Sequence, residues 1–249
     1  MKLEDCGHEL GVIGFRSWVR EVVSTGFPVI FLPGLIHLPT VPEHRKLNTI
    51  DLGTPDKLAV AALALTVDAE GDFEGSTFAL VEIGTAFTAV LIVERGRLVD
   101  ASAGTRGPIG LKGGGAMDGE VAYLRSPLSK RDLFRGGLVD LGTEGLQAFG
   151  ESLIKHVAGL KAVTPFEKIY LSGAGMNQPA VFGAAIDAIH PFGLFRLLPS
   201  LEGARVKHAA QGAALLADGL AGGRNAPLVN SLRLKEARGT ALDWLRPPL

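Results

Sequence analysis

Apolar and polar positions along this 249-residue chain follow two rhythms, and the switch between them predicts where strands and helices fall. Three β-rich runs, TFALVEIG, TAFTAVLIVE and RGRLVDASAG, are separated by Gly84-Thr85 and by Arg95-Gly96. That spacing predicts an antiparallel meander. Ahead of it, Thr54-Pro55 offers an N-cap and a first-turn proline, and DKLAVAALALTV continues as an Ala/Leu-rich helix. Behind it, a glycine-rich stretch over 104–119 predicts loop, EVAYLRSPLSKRDLF a helix broken at Pro127, and TEGLQAFGESLIKHVA a longer helix. The strand EKIYLSG, the helix QPAVFGAAIDAIH, the short strand LFRLLP and the helix ARVKHAAQGAALLADGLAGG follow. Three strands and then alternating helix and strand imply an α/β fold, a mixed sheet flanked by helices.

The ends are less regular. GVIGFRSWVREVV is weakly amphipathic, and the run Val29-Ile30-Phe31-Leu32 predicts a buried strand ended by Pro33-Gly34. Residues 35–53, with prolines, histidines and an arginine, predict an irregular polar loop. Beyond Asn225, SLRLKEARG is a short helical candidate in a tail predicted to be peripheral. No short repeat or low-complexity block interrupts the chain.

Hydrophobic residues make up 47% and charged residues 20% of the chain, enough apolar surface for a folded core. The formal net charge of −1 supplies no positive field for a phosphate backbone or an anionic bilayer, so neither nucleic acid nor membrane is an expected partner. The longest strictly apolar stretches, such as Leu58 to Leu65, fall short of the roughly 20 residues that cross a bilayer. One cysteine, Cys6, makes neither an internal disulfide nor a cysteine zinc site. The charged start MKLEDCGHEL lacks the apolar run of a secretory signal, so the expected location is cytoplasmic. Glycine accounts for 33 residues, well above the usual share of about 7%, which directs attention to where glycines cluster.

Two clusters carry candidate chemistry. Gly84-Thr85 joins two strands, where a tight turn gathers backbone N–H groups and a hydroxyl into a nest for anions; a plain hairpin turn uses the same pair. Ser172-Gly173-Ala174-Gly175 follows a strand and precedes a helix, a place where backbone comes close to a ligand and a helix N-terminus favours negative groups. It lacks the third glycine of the dinucleotide fingerprint. Asp51, before Gly53-Thr54 and a helix start, suits a carboxylate that orients or deprotonates a substrate, or a turn aspartate bonded to its own backbone. Arg106 stands in the glycine-rich loop with Lys112, Asp118 and Glu120, where a cation suits phosphate closure and a solvated loop is the plainer alternative. His37, His44 and Arg45 match no metal-ligand spacing and are read as polar-loop or substrate-pocket residues, so no protein metal site is expected. His156, His190 and His208 are read as packed or surface residues. No Gly-x-Ser-x-Gly elbow, Walker loop or zinc helix is present.

Taken in order, an Asp before an Ala-rich helix, a meander with Gly-Thr at its first turn and a strand ending in Ser-Gly-Ala-Gly resemble the second half of the acetate and sugar kinase, heat-shock chaperone and actin superfamily. PGLIHLPTVPEHRKLNTIDLGTPDKL, DGEVAYLRSPLSKRDLFRGG and AAQGAALLADGLAGG resemble, more narrowly, the archaeal-type, functionally uncharacterised family of predicted butyrate kinases. The resemblance implies a ribonuclease-H-like actin/sugar-kinase fold with ATP in a cleft and Mg2+ on its phosphates. Gly84 and Thr85 match the second phosphate loop, Ser172, Gly173, Ala174 and Gly175 the adenosine motif, and Asp51 the carboxylate before the corresponding helix; Arg106 matches no superfamily motif. The first phosphate loop has no counterpart in residues 1–35. The resemblance therefore implies an incomplete first domain in a chain shortened at its N-terminus: residues 1–75 as its remnant, 76–224 as the second, nucleotide-binding domain and 225–249 as a tail. The implied activity is ATP-dependent phosphorylation of a small molecule, a short-chain carboxylate in the butyrate-kinase manner, by a protein compatible with a homodimer. The alternative is a non-catalytic nucleotide-binding or assembly protein derived from that family.

Overall fold

The three β-rich runs form one side of a five-stranded sheet in the computed structural model, which describes residues 15–247; Cys6 and the start of the N-terminal amphipathic stretch lie outside them. Strands β1 (Phe78–Ile83), β2 (Thr88–Glu94) and β3 (Arg97–Ser102) are antiparallel neighbours. β4 (Lys168–Ser172) runs parallel to β1, and β5 (Leu194–Leu197) parallel to β4. The order β3-β2-β1-β4-β5 with these directions is that of a ribonuclease-H-like sheet. In chain order the helices are α1 (Phe15–Ser24), α2 (Glu43–Lys46), α3 (Pro55–Ala69), α4 (Gly119–Leu124), α5 (Gly145–Val163), α6 (Pro179–Ile189), α7 (His208–Leu220) and α8 (Ala226–Ser231).

Every residue of β1 is buried because both faces of the sheet are covered. Alternation sends Phe78 and Leu80 into a core shared with α3, α7 and α8, and Ala79, Val81 and Ile83 into a core shared with α5 and α6. The alanines of α3 serve a close helix crossing: a Cβ on Gly212 of α7 would lie 1.7 Å from the Ala59 carbonyl oxygen. Backbone therefore meets backbone, and the crossing holds α3 and α7 in fixed relation with residues near both N-termini at one end of the sheet.

Three expectations change. Val29–Leu32 is not a strand; residues 27–34 carry no regular structure, and Ile30 is 62% exposed. Carbonyls of the edge strand β3 are taken by side chains from the following segment: the Thr40 hydroxyl donates to Leu98 O and the Arg45 guanidinium to Val99 O. Residues 35–53 are more than a polar loop, since Leu35, Ile36, Leu38 and Val41 enter the first core. The tail is not peripheral either: Leu228, Val229, Leu232 and Leu234 are buried in the same core. Trp244 lies over the Lys46 ammonium at 4.8 Å, and Lys46 donates to Leu38 O at 2.8 Å. Burial pushes Lys46 below its ordinary value.

Candidate functional site

Between β1 and β4 the chain changes direction: β1 continues to β2 on one side, and β4 leads to β5 on the other. Such a switch point leaves a crevice beyond the carboxyl ends of the two strands, the usual ligand site of open α/β sheets. A hollow of about 370 Å³ lies there. Gly84 and Thr85 line it from the end of β1, and Ser172, Gly173 and Ala174 from the end of β4. The two turns singled out in the sequence therefore share one cavity. Asp56 and Lys57 from α3 and Lys207 and His208 at the start of α7 complete it, so two helix N-termini, the positive ends of their dipoles, face the same space.

Lys57 sits 2.7 Å from Glu82 and 2.9 Å from Asp56. Burial of Lys57 opposes its charge, but Glu82 and Asp56 outweigh it and hold the ammonium above its ordinary value. Burial raises Glu82, with Lys57 pulling the other way. Asp56 is lowered: burial works against its charge, and hydrogen bonds from Thr54 and Lys57 prevail. His208 accepts or donates at Nδ1 to the Ser172 hydroxyl at 2.8 Å and meets Ser200 at 3.3 Å through Nε2; burial lowers its pKa.

The glycines after β4 have a different first duty from ligand approach. Gly173 has φ +108°, and a Cβ there would stand 2.2 Å from the Ile83 carbonyl oxygen; on Gly175 it would stand 2.4 Å from Ile83 Cγ2. Both allow the turn to lie against the end of β1, which brings the 172–174 backbone beside Gly84. Gly175 is buried and does not line the hollow.

A second, larger trough of about 730 Å³ adjoins the hollow, with Gly84, Thr85, Asp56 and Lys57 lining both. Its other walls carry Asp51 and Arg106 among polar groups and Ile50, Phe87, Leu133 and Phe134 among apolar ones. Asp51 accepts the Gly53 N–H at 2.7 Å, the turn role open to it from sequence, and still faces the trough. Gly104, at φ +60°, leaves it room: a Cβ there would lie 2.5 Å from Asp51 Oδ2. Arg106 donates to the Thr49 hydroxyl.

Asp51 and Arg106 also border a third cavity of about 360 Å³, which holds His44, Arg45 and His156. Arg45 is committed there to structure, bonding Val99 O and Thr164 and standing 3.4 Å from Asp100. His37 is not brought to these cavities; its carbonyl accepts the Arg238 N–H on the C-terminal side of the molecule.

Sequence reasoning missed Asp56, Lys57, Glu82, Lys207 and His208. One signal was visible: Glu82 is the sole charge in the run FALVEI and sits two residues before Gly84. Its partner Lys57 lies 25 positions earlier in a helix otherwise read for its alanines. Among the described residues, no group of three or more metal-ligating side chains stands together, and no helix is long and apolar enough to cross a membrane.

Comparison with solved structures finds an acetate kinase from Entamoeba histolytica, at TM-score 0.43 and 14% identity over 53% of this chain and 44% of that one. A propionate kinase from Francisella tularensis subsp. tularensis SCHU S4 matches at TM-score 0.44 and 15% identity, covering 53% and 43%. A ROK family protein from Streptococcus pneumoniae TIGR4, solved with sucrose, matches at TM-score 0.40 and 13% identity, covering 82% and 86%. The chain thus spans under half the length of the two acid kinases it matches. No curated protein matches it. The family model described as "Protein of unknown function (DUF1464)" matches residues 1–247.

Proposed function

Because the chain belongs to this DUF1464 family of unknown function, its activity has to be argued from its site, and we propose an ATP-dependent phosphotransferase acting on a carboxylate in the manner of a butyrate kinase. One observation carries the reading: the 84–85 and 172–174 turns share a single hollow at the sheet's switch point, beside Lys57 and Lys207. Backbone turns, two lysines and two helix N-termini around one space suit a polyphosphate. Residues 76–224 would then supply the nucleotide side, with Asp56, Lys57 and Asp51 contributed from before them.

The residues present fit the nucleotide and its metal. The half-exposed Asp56 carboxylate faces the hollow, and Mg2+ commonly needs only one or two carboxylates when phosphates supply the remaining oxygens. Bound there, Mg2+ would neutralise charge on the phosphates during transfer. Lys57 is held charged by Glu82 and faces the same space, and Thr85 lines both hollow and trough. Arg106 would hold the acceptor carboxylate in the trough. In the transfer, a carboxylate oxygen forms a bond to the γ-phosphorus, the bond from that phosphorus to the ADP oxygen breaks, and an acyl phosphate results. No proton leaves the acceptor, so Asp51 serves to orient groups rather than as a base.

Calorimetry with ATP and Mg2+, followed by ADP release across carboxylates and sugars, tests the reading. Nucleotide binding with release driven by carboxylates is expected. Absence of ATP binding overturns it, and binding without turnover leaves the non-catalytic nucleotide-binding protein in its place.

A further inference from the structure

We infer that the acid taken by the trough carries a tail well beyond four carbons, a medium-chain or aryl-alkyl carboxylate. The inference rests on the phosphotransferase reading above and gives its acceptor a size and a chemistry.

Size comes first. The trough measures about 730 Å³, roughly twice the adjoining hollow of about 370 Å³. Giving each non-hydrogen atom of butyrate the roughly 30 Å³ that a water takes in the liquid, the whole molecule fills about 180 Å³. Butyrate would leave most of the trough to water.

The wall chemistry agrees. The lining supplies both chemistries, with Lys57, Lys130, Thr85, Asp51 and Arg106 among its polar groups and Ile50, Phe87, Leu133 and Phe134 among its apolar ones. Ile50 and Phe134 remain 57% and 43% exposed, an unfavourable state for apolar side chains that an apolar ligand body would relieve. Phe87 and Phe134 meet edge to face at 4.9 Å and 69°.

This aromatic wall is fixed by its support. A Cβ on Gly113 would come within 2.5 Å of the Phe87 ring, and one on Gly110 within 2.3 Å of Ala86 O. Gly113 and Lys112 both donate backbone N–H groups to Ala86 O, at 3.0 Å each. The glycine-rich loop is thus shaped around the 86–87 backbone and ring, and it seats a flat apolar surface beside the phosphate turn. An occupant with one anionic end and a substantial apolar body matches both sides.

The test measures binding and turnover separately on the full chain. Saturation-transfer NMR with butyrate, octanoate and 4-phenylbutyrate reads affinity without nucleotide, and ADP release is followed in parallel. Each methylene that becomes buried tightens binding roughly fourfold, so even partial burial of the extra carbons should favour the larger acids by about tenfold or more. Leu133→Trp adds six non-hydrogen atoms, roughly 180 Å³, to the apolar wall and should lower the octanoate-to-butyrate affinity ratio by about threefold or more, with thermal unfolding confirming the fold. If that variant does not fold, Phe134→Ala removes the edge partner and should weaken 4-phenylbutyrate about fivefold or more. Equal affinity for butyrate and octanoate overturns the inference, as does a ratio that neither variant changes. The expected binding order without ADP release keeps the acid site and removes the transfer; ADP release that is fastest with butyrate removes this inference and keeps the transfer.

Discussion

Lys57→Met would strip Glu82 of the ammonium 2.7 Å away and leave a carboxylate only 8% exposed. That carboxylate must then stay charged in a poorly solvated place or take up a proton, and protonation sets a ceiling on the cost. The ordinary value for the group is 4.5. At pH 7 the proton is bound 2.5 pH units above that value, which at 1.36 kcal/mol per unit costs about 3 kcal/mol; at pH 5 the same step costs under about 1 kcal/mol. The sign follows from linkage. A carboxyl raised by burial binds its proton more readily folded than unfolded, so stability falls as pH rises from 4.5 toward the folded value. Removing Lys57 should steepen that fall between pH 4.5 and 7. The contribution of Lys57 itself, raised above 10.5, is fully present below 10.5 and is lost only as pH rises through its folded value, outside this window. Urea unfolding at pH 5 and pH 7 should therefore show a larger loss at pH 7, up to about 3 kcal/mol, than at pH 5, where it stays under about 1 kcal/mol. Adding Glu82→Gln removes the orphaned charge and should restore the variant at pH 7 to within about 1 kcal/mol of wild type. Equal losses at the two pH values, or no rescue by the second substitution, would refute the ion-pair account.

Gly173→Ala should cost about 3 kcal/mol or more, because φ +108° is strained for alanine and its Cβ would meet Ile83 O at 2.2 Å; an unchanged thermal midpoint would show that the turn can re-form. Leu232→Ala, in the C-terminal segment yet 0% exposed, should cost about 2–5 kcal/mol in urea unfolding, and a loss near zero would mean the segment is dispensable to the core. Arg106→Ala should raise KM for the acid roughly ten- to hundredfold with ATP affinity unchanged, the worth of one charge-assisted hydrogen bond; equal affinity for the acid in steady-state kinetics would remove Arg106 from the trough's function.

The sheet was legible because its signals are local. The meander depends on β-rich runs and on turns at 84–85 and 95–96, and helix α3 on Thr54-Pro55 and the alanines after it. What escaped depends on partners distant in sequence. Val29–Leu32 has the composition of a strand, yet carbonyls of β3 at the sheet edge already accept from Thr40 and Arg45, and no periodicity can express that. The tail, with one short helical candidate, looks peripheral in sequence, and only the close approach of α7 and α8 reveals where Leu228 and Val229 go. At the site, glycine clusters marked the two turns that line the hollow, but the charged groups between them come from α3, β1 and α7 and meet only in space. Gly173 shows the limit of the glycine argument: its missing Cβ makes room for Ile83 rather than directly for a ligand.

The 84–87 turn separates hollow from trough, and its closure joins their behaviour. Gly84 donates its N–H to Phe87 O at 3.0 Å, so a residue that lines the hollow is bonded to a residue that lines the trough. Gly113→Ala acts on this link from outside both cavities, since its new Cβ would stand 2.5 Å from Phe87 Cε1 and force the ring, or the turn beneath it, to move. If the turn moves, the Gly84-Thr85 backbone shifts relative to Gly173, and affinity for ATP with Mg2+ should fall along with affinity for the acid, each by about threefold or more, which corresponds to roughly 0.7 kcal/mol. Leu133→Trp narrows the trough from another wall and should lower acid affinity alone. Calorimetry with ATP and NMR with octanoate, applied to both variants, separate the cases. A Gly113→Ala protein that loses the acid and binds the nucleotide as wild type does would show that the ring moves freely of the turn, and that the two cavities are neighbours without being coupled.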